Sequence, residues 1–557
     1  MSRKVLIVGG VAGGAGTAAR LRRMDESAEI IMFERGPYIS FANCGLPYYI
    51  GGTIEKRDAL LLQTPEGFNR RFRVDVRINN EVIKINKEEK TIEVKNVLEG
   101  TTYTEDYDTL VLSPGSTPLK PPIPGINSEN VFSLWNVPDV DKIKAYVEAN
   151  ELKTATVIGG GFIGLEMAEN LHDLGMKVSI AEMAPQVMMP IDYDLAQLLH
   201  HHIAKKGVNL HLNNGVKEFY DHGNKTTDVI LADGTTINSD IVLLAIGIRP
   251  NSELPKEAGL ELNQRGGVVV DKYLRTSDPS IYALGDVIEV KDFVNGEQTL
   301  VPLAGPANKM ARIVANNIVG EVDQYNGTQG TSVAKVFDMV VASTGNNEKT
   351  LERLGKVYGE DYHIALVSPG SNAGYYPGAK VVTLKVIFDN EGKVLGAQAV
   401  GKKGVEKRID VIATAIRFGA TMSDLKELEL AYAPPFSSAK DPVNMAGFVA
   451  DNILKGKMKP IRSSEIKDLD LDKVVLVDVR STHEHNHGHI GGSLNIPVDD
   501  LRERLDELPK DKELVIYCAV GFRGYLATTI LGHNGFDARN LLGGYNFFKR
   551  AEKKHVV

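Results

Sequence analysis

Short apolar runs broken by glycine clusters dominate the start of the chain. Lys4–Val8 is long enough for a buried strand, Gly9–Gly14 interrupts it, Ala15–Met24 has helical spacing, and Ile30–Glu34 is a second apolar run. The same order returns at Thr154–Ile158, Gly159–Gly164, Leu165–Leu174 and Lys177–Glu182. Strand, glycine turn, helix and strand, given twice, predict two βαβ openings that each lead a parallel sheet. Between them lie alternating segments at Val82–Ile85 and Thr91–Val94 and the apolar run Thr109–Gly115, while a matching run, Ile241–Gly247, closes the second fold. Beyond about Gly330 the texture changes to long β-rich runs, Val333–Ser343, Val381–Phe388 and Val394–Val400, followed by a helical Glu406–Phe418. Lys455–Pro460 reads as a polar linker, and a shorter α/β unit follows from about Ile461. The expected fold class is α/β. One nucleotide-binding domain is split between residues 1–150 and 276–330, and a second covers 151–275. An α+β domain over 331–455 and a small α/β domain over 461–557 follow.

A chain of 557 residues is too long for one core, which agrees with several domains. Lys and Arg total 64 against 72 Asp and Glu, so the net charge of −8 gives no reason to expect nucleic acid or an anionic membrane as partner. No apolar run is long enough to span a bilayer, and Met1–Lys4 leads directly into the first strand, so the expected location is the cytoplasm. Cys44 and Cys518 are the only cysteines. Two cannot build a disulfide framework, and a metal site is not expected. They are either inert core residues or reactive thiols.

The second glycine turn, Gly159-x-Gly161-x-x-Gly164, has each glycine where a dinucleotide needs it. The first allows the tight turn, the second lets backbone approach a pyrophosphate, and the third lets helix and strand pack closely. Phe162 and Ile163 open the helix whose N-terminus would face the phosphates. Glu182 closes the next strand, where its carboxylate suits two ribose hydroxyls and repels a 2′-phosphate, favouring NADH over NADPH. In the first turn, Gly9, Gly13 and Gly14 are kept but Val11 replaces the middle glycine, with Ala12 beside it. Support for a nucleotide there comes from Glu34 and Arg35 at the next strand end, and from Gly285-Asp286 after the strand-like Ile281–Leu284, which suits a ribityl hydroxyl. Two such sites fit a flavin and a nicotinamide exchanging hydride.

The Gly9 turn, the Gly159 turn, Ala245-Ile246-Gly247-Ile248-Arg249-Pro250 and Gly285-Asp286 together resemble the FAD/NAD(P)-dependent pyridine nucleotide-disulfide oxidoreductases over residues 1 to about 450. The resemblance implies FAD on the split domain, NAD(H) on the second, and a dimerisation domain at 331–455, hence a homodimer with shared active sites. It also implies cofactor contacts at Ala304 and Gly247.

In Ser40-Phe41-Ala42-Asn43-Cys44-Gly45-Leu46-Pro47-Tyr48, the second cysteine of dithiol family members is missing, and Tyr49 stands in its place. A disulfide at Cys44 must then include substrate sulfur. The run resembles the single-cysteine branch, most closely coenzyme A disulfide reductase, which implies that Cys44 sits at a helix start beside the flavin with a lowered pKa. NADH peroxidase and NADH oxidase are rival single-cysteine relatives that cycle through sulfenic acid. The peroxidase-like pattern has a histidine where this chain has Ala12. Coenzyme A needs cations near its phosphates: Arg20 and Arg23 share a helix face with Arg22 close by, and Arg70, Arg71 and Arg73 form a second cluster. Helix arginines also serve as plain solvated surface. By resemblance, Ser40, Asn43, Asn308 and Lys440 line the coenzyme A site. The resemblance also implies that Tyr432 and one of Tyr375 and Tyr376 reach it from the partner subunit, where a tyrosine hydroxyl could donate to, or protonate, a leaving thiolate.

From about residue 461 onward, Val477-Asp478-Val479-Arg480, His489-Ile490-x-Gly492-Ser493 and Tyr517-Cys518-Ala519-Val520-Gly521-Phe522-Arg523-Gly524 resemble one rhodanese domain. A loop of converging backbone N–H groups would stabilise a thiolate or persulfide at Cys518, with Arg523 adding fixed positive charge. The combined expectation is an enzyme that reduces coenzyme A persulfide, polysulfide or coenzyme A disulfide with NADH. A redox sensor that binds a partner through its Cys518 loop is the reading from a different class.

Overall fold

The computed structural model describes residues 2–552. The chain forms two compact units, one of residues up to Met183 with Asn214–Gly330, the other of Ala184–Asn213 with the chain from Thr331 onward.

In the first unit, Lys4–Val8 is the centre of a parallel sheet, flanked by Glu29–Glu34 and Asp75–Ile78 on one side and by Thr109–Leu112 and Ile281–Ala283 on the other. Apart from the edge strand Asp75–Ile78, these strands are almost wholly buried, as parallel strands covered on both faces must be. The second parallel sheet places Thr154–Ile158 between Lys177–Glu182 and Ile241–Leu244, with Val131–Ser133 beyond. Both helices begin earlier than their spacing predicts, at Ala12 and Phe162, because Gly13, Gly14 and Gly164 lie inside the first turns. A Cβ at Gly14 would lie 1.8 Å from the Gly9 carbonyl oxygen, and one at Gly164 would lie 2.0 Å from that of Gly159. The alternating segments form an antiparallel sheet of Asn80–Asn86, Thr91–Asn96 and Thr102–Asp106.

In the second unit, five antiparallel strands run in the order Ser332–Val336, Met339–Gly345, Val394–Gly401, Val382–Asp389, Tyr362–Val367. The run Val333–Ser343, read above as continuous, is a hairpin, reversed where Phe337 takes φ 56°. Helix Val405–Arg417 packs on this sheet. Residues 184–213, expected inside the second nucleotide domain, group here instead. Helix Tyr193–Lys205 packs against strand Val394–Gly401, and Asp192 and Asp194 stand 3.1 and 3.0 Å from the ammonium of fully buried Lys385, which also pairs with Glu348. A buried cation left without these carboxylates would be strongly destabilising.

The C-terminal sheet is parallel, ordered Lys459–Ile461, Ala538–Leu541, Glu513–Tyr517, Val474–Asp478, Leu494–Asn495. Its first strand starts inside the predicted linker, since Lys459 and Pro460 already pair with Arg539 and Asn540. Arg462 fastens this join, placing Nη1 3.1 Å from Glu348 and its guanidinium 4.0 Å from the Tyr358 ring centroid.

Candidate active site

The first glycine turn borders a cleft of about 220 Å³ lined by Gly9–Gly13, Glu34, Arg35, Asn43, Ser113–Ser116, Asn251 and Asp286. Glu34 holds the turn in place, accepting the Gly10 N–H at 2.9 Å through one oxygen and the Gly36 N–H at 2.8 Å through the other. Burial pushes its carboxyl above the ordinary range. Across the cleft, Asp286 accepts from Ser116 Oγ at 2.9 Å and is also raised by burial. A carboxyl so placed readily binds a ligand hydroxyl. Val11 has φ −100° and Gly161 has φ −80°, so neither middle position needs glycine for its backbone conformation. Arg35 and Ala304 are exposed, the latter opening helix Ala304–Ile318.

The second turn repeats the design. Glu182 accepts the Gly160 N–H at 2.7 Å, as Glu34 does that of Gly10. A Cβ at Gly161 would find no chain atom within 4 Å, so the glycine there leaves room for something other than protein. Gly247 has φ 119° and presents its carbonyl to the Leu119 N–H at 2.9 Å. Both cradles therefore fit the dinucleotides that the sequence predicts.

Cys44 is exposed in the single 3₁₀ turn Asn43–Gly45, ahead of the short helix Leu46–Ile50. Ser40, four residues before it, has φ 45°, fixed as its N–H bonds the Gly10 carbonyl at 2.9 Å, so the segment is tied to the first cradle. The expected lowering of the thiol pKa does not come from the polypeptide. Partial burial and then the Glu166 carboxylate push it up. The five-residue helix supplies little dipole to oppose them. Glu166 lies in the first turns of helix Phe162–Asp173 and accepts a long hydrogen bond, 3.4 Å, from the Tyr48 hydroxyl. Burial raises its carboxyl to about 7.

The basic residues separate into two kinds. Arg22 is buried and donates to the carbonyls of Asp25, Glu26, Phe72 and Arg73, so it braces the fold. Arg20 is half-buried, with Nε 3.1 Å from Asn316 Oδ1, while Arg23, Arg70, Arg71 and Arg73 are exposed. Arg70 and Arg71 close the helix Pro65–Phe72, where cations favour its C-terminus. Asn308 and Asn43 are exposed, Asn308 with its amide on the Ala304 carbonyl at 2.9 Å. In the second unit, Lys440 is exposed beside buried Asp441, which receives Arg408 at 2.8 Å. Tyr375 and Tyr432 join hydroxyls at 3.1 Å, so Tyr375 rather than Tyr376 pairs with Tyr432.

Cys518 directly follows strand Glu513–Tyr517, and its sulfur accepts the Gly521 N–H at 3.1 Å, with Gly521 at φ 101°. A Cβ at Gly544 would lie 2.5 Å from the Cys518 carbonyl oxygen, so the loop packs tightly from behind. Arg523 lies beside Cys518, and its charge is matched by a two-pronged pair with Glu484, both contacts 2.7 Å. Glu484 was not singled out in the sequence, because its partner lies 39 positions along.

Residues 3–311 match the pyridine nucleotide-disulphide oxidoreductases, 331–442 the dimerisation domain of that family, and 464–551 the rhodanese-like domain. The chain belongs to the pyridine nucleotide-disulphide oxidoreductase family. Coenzyme A disulfide reductase of Staphylococcus epidermidis is 37% identical over 449 residues, 80% of this chain and 99% of that protein. The reduced Bacillus anthracis protein CoADR-RHD superposes with a TM-score of 0.97 at 51% identity, over 100% of this chain and 99% of its own. An NAD-dependent persulfide reductase from A. fulgidus does so with 0.91 at 38% identity, over 98% and 99%. As a pyridine nucleotide-disulphide oxidoreductase, the chain uses FAD and NAD(H). Ser113, Ser116 and Asn251 also line the cleft, and Asn251 directly follows the Ala245–Pro250 block, a signal available in the sequence. Among the described residues, no helix is long and apolar enough to cross a membrane.

Proposed function

We propose that the chain is an NADH-dependent flavoenzyme that reduces coenzyme A persulfide, polysulfide and coenzyme A disulfide. In this reading it is a cytoplasmic homodimer, Cys44 is its redox-active cysteine, and Cys518 handles sulfane sulfur. The observation that carries the reading is the exposed Cys44, tied to the first cradle through Ser40 and lacking a second cysteine in its segment. Its disulfide partner must then be substrate sulfur. The likeness to a coenzyme A disulfide reductase and a persulfide reductase supports this, as does the rhodanese-like domain.

Bound FAD supplies the two-electron transfer from NADH to sulfur. The rest falls to the chain. Glu34 and Asp286 hold the flavin nucleotide's hydroxyls, and Glu182 holds those of NADH. Arg20, Arg23, Arg71, Ser40, Asn43 and Asn308 receive coenzyme A. The Cys44 thiolate bonds to substrate sulfur and releases a thiol. The arriving electron pair then breaks that S–S bond, freeing the second thiolate or hydrosulfide and restoring the Cys44 thiolate. Tyr375 and Tyr432 supply the proton for the leaving sulfur. Both tyrosines are exposed within one subunit together with Phe436, at 78, 48 and 72%, as fits residues that a partner subunit covers.

Measuring kcat/KM for coenzyme A persulfide, polysulfide, coenzyme A disulfide and hydrogen peroxide on one preparation tests the reading. The sulfur substrates should exceed peroxide by at least about tenfold, with persulfide or polysulfide highest. Peroxide as the best substrate would assign the chain to oxygen chemistry instead.

A further inference from the structure

The loop around Cys518 has a base and a rim of different character. The cysteine itself is 1% exposed, so a donor must reach its sulfur with a slim terminal atom. The rim is apolar. Val520, Phe522 and Leu526 are 42, 67 and 39% exposed, and Phe522 and Leu526 stand one turn apart on helix Phe522–His533. Large apolar side chains left in water beside a reactive group mark a binding surface.

The charges beside the loop cancel locally. Glu484 grips both terminal nitrogens of Arg523 at 2.7 Å, and is itself fixed by the Ser481 N–H and hydroxyl, each at 3.1 Å, in the capping box of helix Thr482–Asn486. The Arg523 guanidinium lowers the Glu484 carboxyl to about 2, so the pair stays ionised and compensated throughout the neutral range. Arg480 is turned inward onto Asp478 at 2.6 Å. An inorganic dianion thus meets a compensated cation and an apolar rim, whereas an aliphatic chain meets a surface it can cover.

We propose that the Cys518 loop takes sulfane sulfur from organic persulfides with an uncharged aliphatic arm in preference to inorganic thiosulfate, and that Glu484 sets this preference by neutralising Arg523 beside the Val520, Phe522 and Leu526 rim. This rests on the reading that Cys518 holds sulfane sulfur. In the transfer, the Cys518 thiolate attacks the terminal sulfur of R–S–SH, a new S–S bond forms as the old one breaks, and R–S⁻ leaves and takes up a proton. No outside oxidant or reductant enters.

The test uses full-length, FAD-loaded protein carrying Cys44→Ser, so that retained sulfur reports Cys518 alone. Loading is followed by the intact-mass gain of one sulfur atom, with N-acetylcysteamine persulfide and with thiosulfate. The organic donor should load the loop at least about tenfold faster. Glu484→Gln, which keeps an acceptor oxygen for Ser481, should raise thiosulfate loading about tenfold and leave the organic donor nearly unchanged. Phe522→Ser, at an exposed position, should slow only the organic donor. Equal loading by both donors, or a ratio that neither substitution moves, overturns the role given to Glu484 and the rim. Loading by neither donor overturns the sulfane-handling reading as well.

Discussion

The hydroxyls of Tyr375 and Tyr432 lie 3.1 Å apart although 57 positions separate them, and the bond raises the Tyr375 phenol above its ordinary range. A phenol is protonated at neutral pH with or without this shift, which by itself makes it the weaker acid, so the pair matters through position: each hydroxyl holds the other in place. Tyr432→Phe removes the partner that orients the Tyr375 hydroxyl. In the proposed mechanism kcat on coenzyme A disulfide should drop by about tenfold to a hundredfold while KM changes little. Tyr376→Phe should stay close to wild type. Steady-state kinetics of the two variants checks this, and equal losses in both would detach the Tyr375–Tyr432 pair from proton delivery.

Glu182 closes its strand and caps Gly160 at 2.7 Å, so its carboxylate is fixed beside the cradle that Gly161 leaves open. NADH should exceed NADPH in kcat/KM by roughly tenfold or more, about 1.4 kcal/mol. Glu182→Ser should narrow the ratio chiefly by improving NADPH. Equal values for the two nucleotides in the wild type would remove Glu182 from this role.

Glu166 ties pH to Cys44. Burial raises its carboxyl from 4.5 to about 7, so the native state keeps a proton that the unfolded chain has already released. A raised pKa means that its contribution to stability is complete below about pH 4.5 and is lost as pH rises through about 7. The same ionisation places a negative charge near Cys44 and opposes its thiolate. Glu166→Gln should flatten the fall of Tm between those pH values. It should also speed iodoacetamide alkylation of Cys44 above pH 7, measured with Cys518→Ser in the background. Slower or unchanged alkylation would show that Glu166 is not the charge acting on the thiol.

Much of this was legible in the sequence where a backbone requirement restricts the residue type. Gly9, Gly14, Gly159 and Gly164 are required because any Cβ would strike a carbonyl within about 2 Å, and that constraint prints itself as glycine spacing. Glu34 and Glu182 were legible because strand ends deliver them to those turns, and Asp286 because a further strand leads into the Gly285 turn across the cleft. Features decided by distant partners were not. The grouping of 184–213 with the second unit depends on Lys385 meeting Asp192 and Asp194, and nothing local in Tyr193–Lys205 announces it. The hairpin in Val333–Ser343 hinges on a left-handed Phe337, a residue with no special turn propensity. The neutralised Arg523 likewise needed the fold to bring Glu484 to it.

The account stands on Cys44 as the covalent centre. The most direct measurement is NADH-dependent turnover of coenzyme A persulfide and coenzyme A disulfide by Cys44→Ser, alongside bleaching of its flavin by NADH. The account predicts that FAD stays bound and is still bleached, while turnover on both substrates falls by several orders of magnitude, to less than about one thousandth. Turnover above roughly a tenth of wild type on either substrate, a loss smaller than about 1.4 kcal/mol, would contradict it.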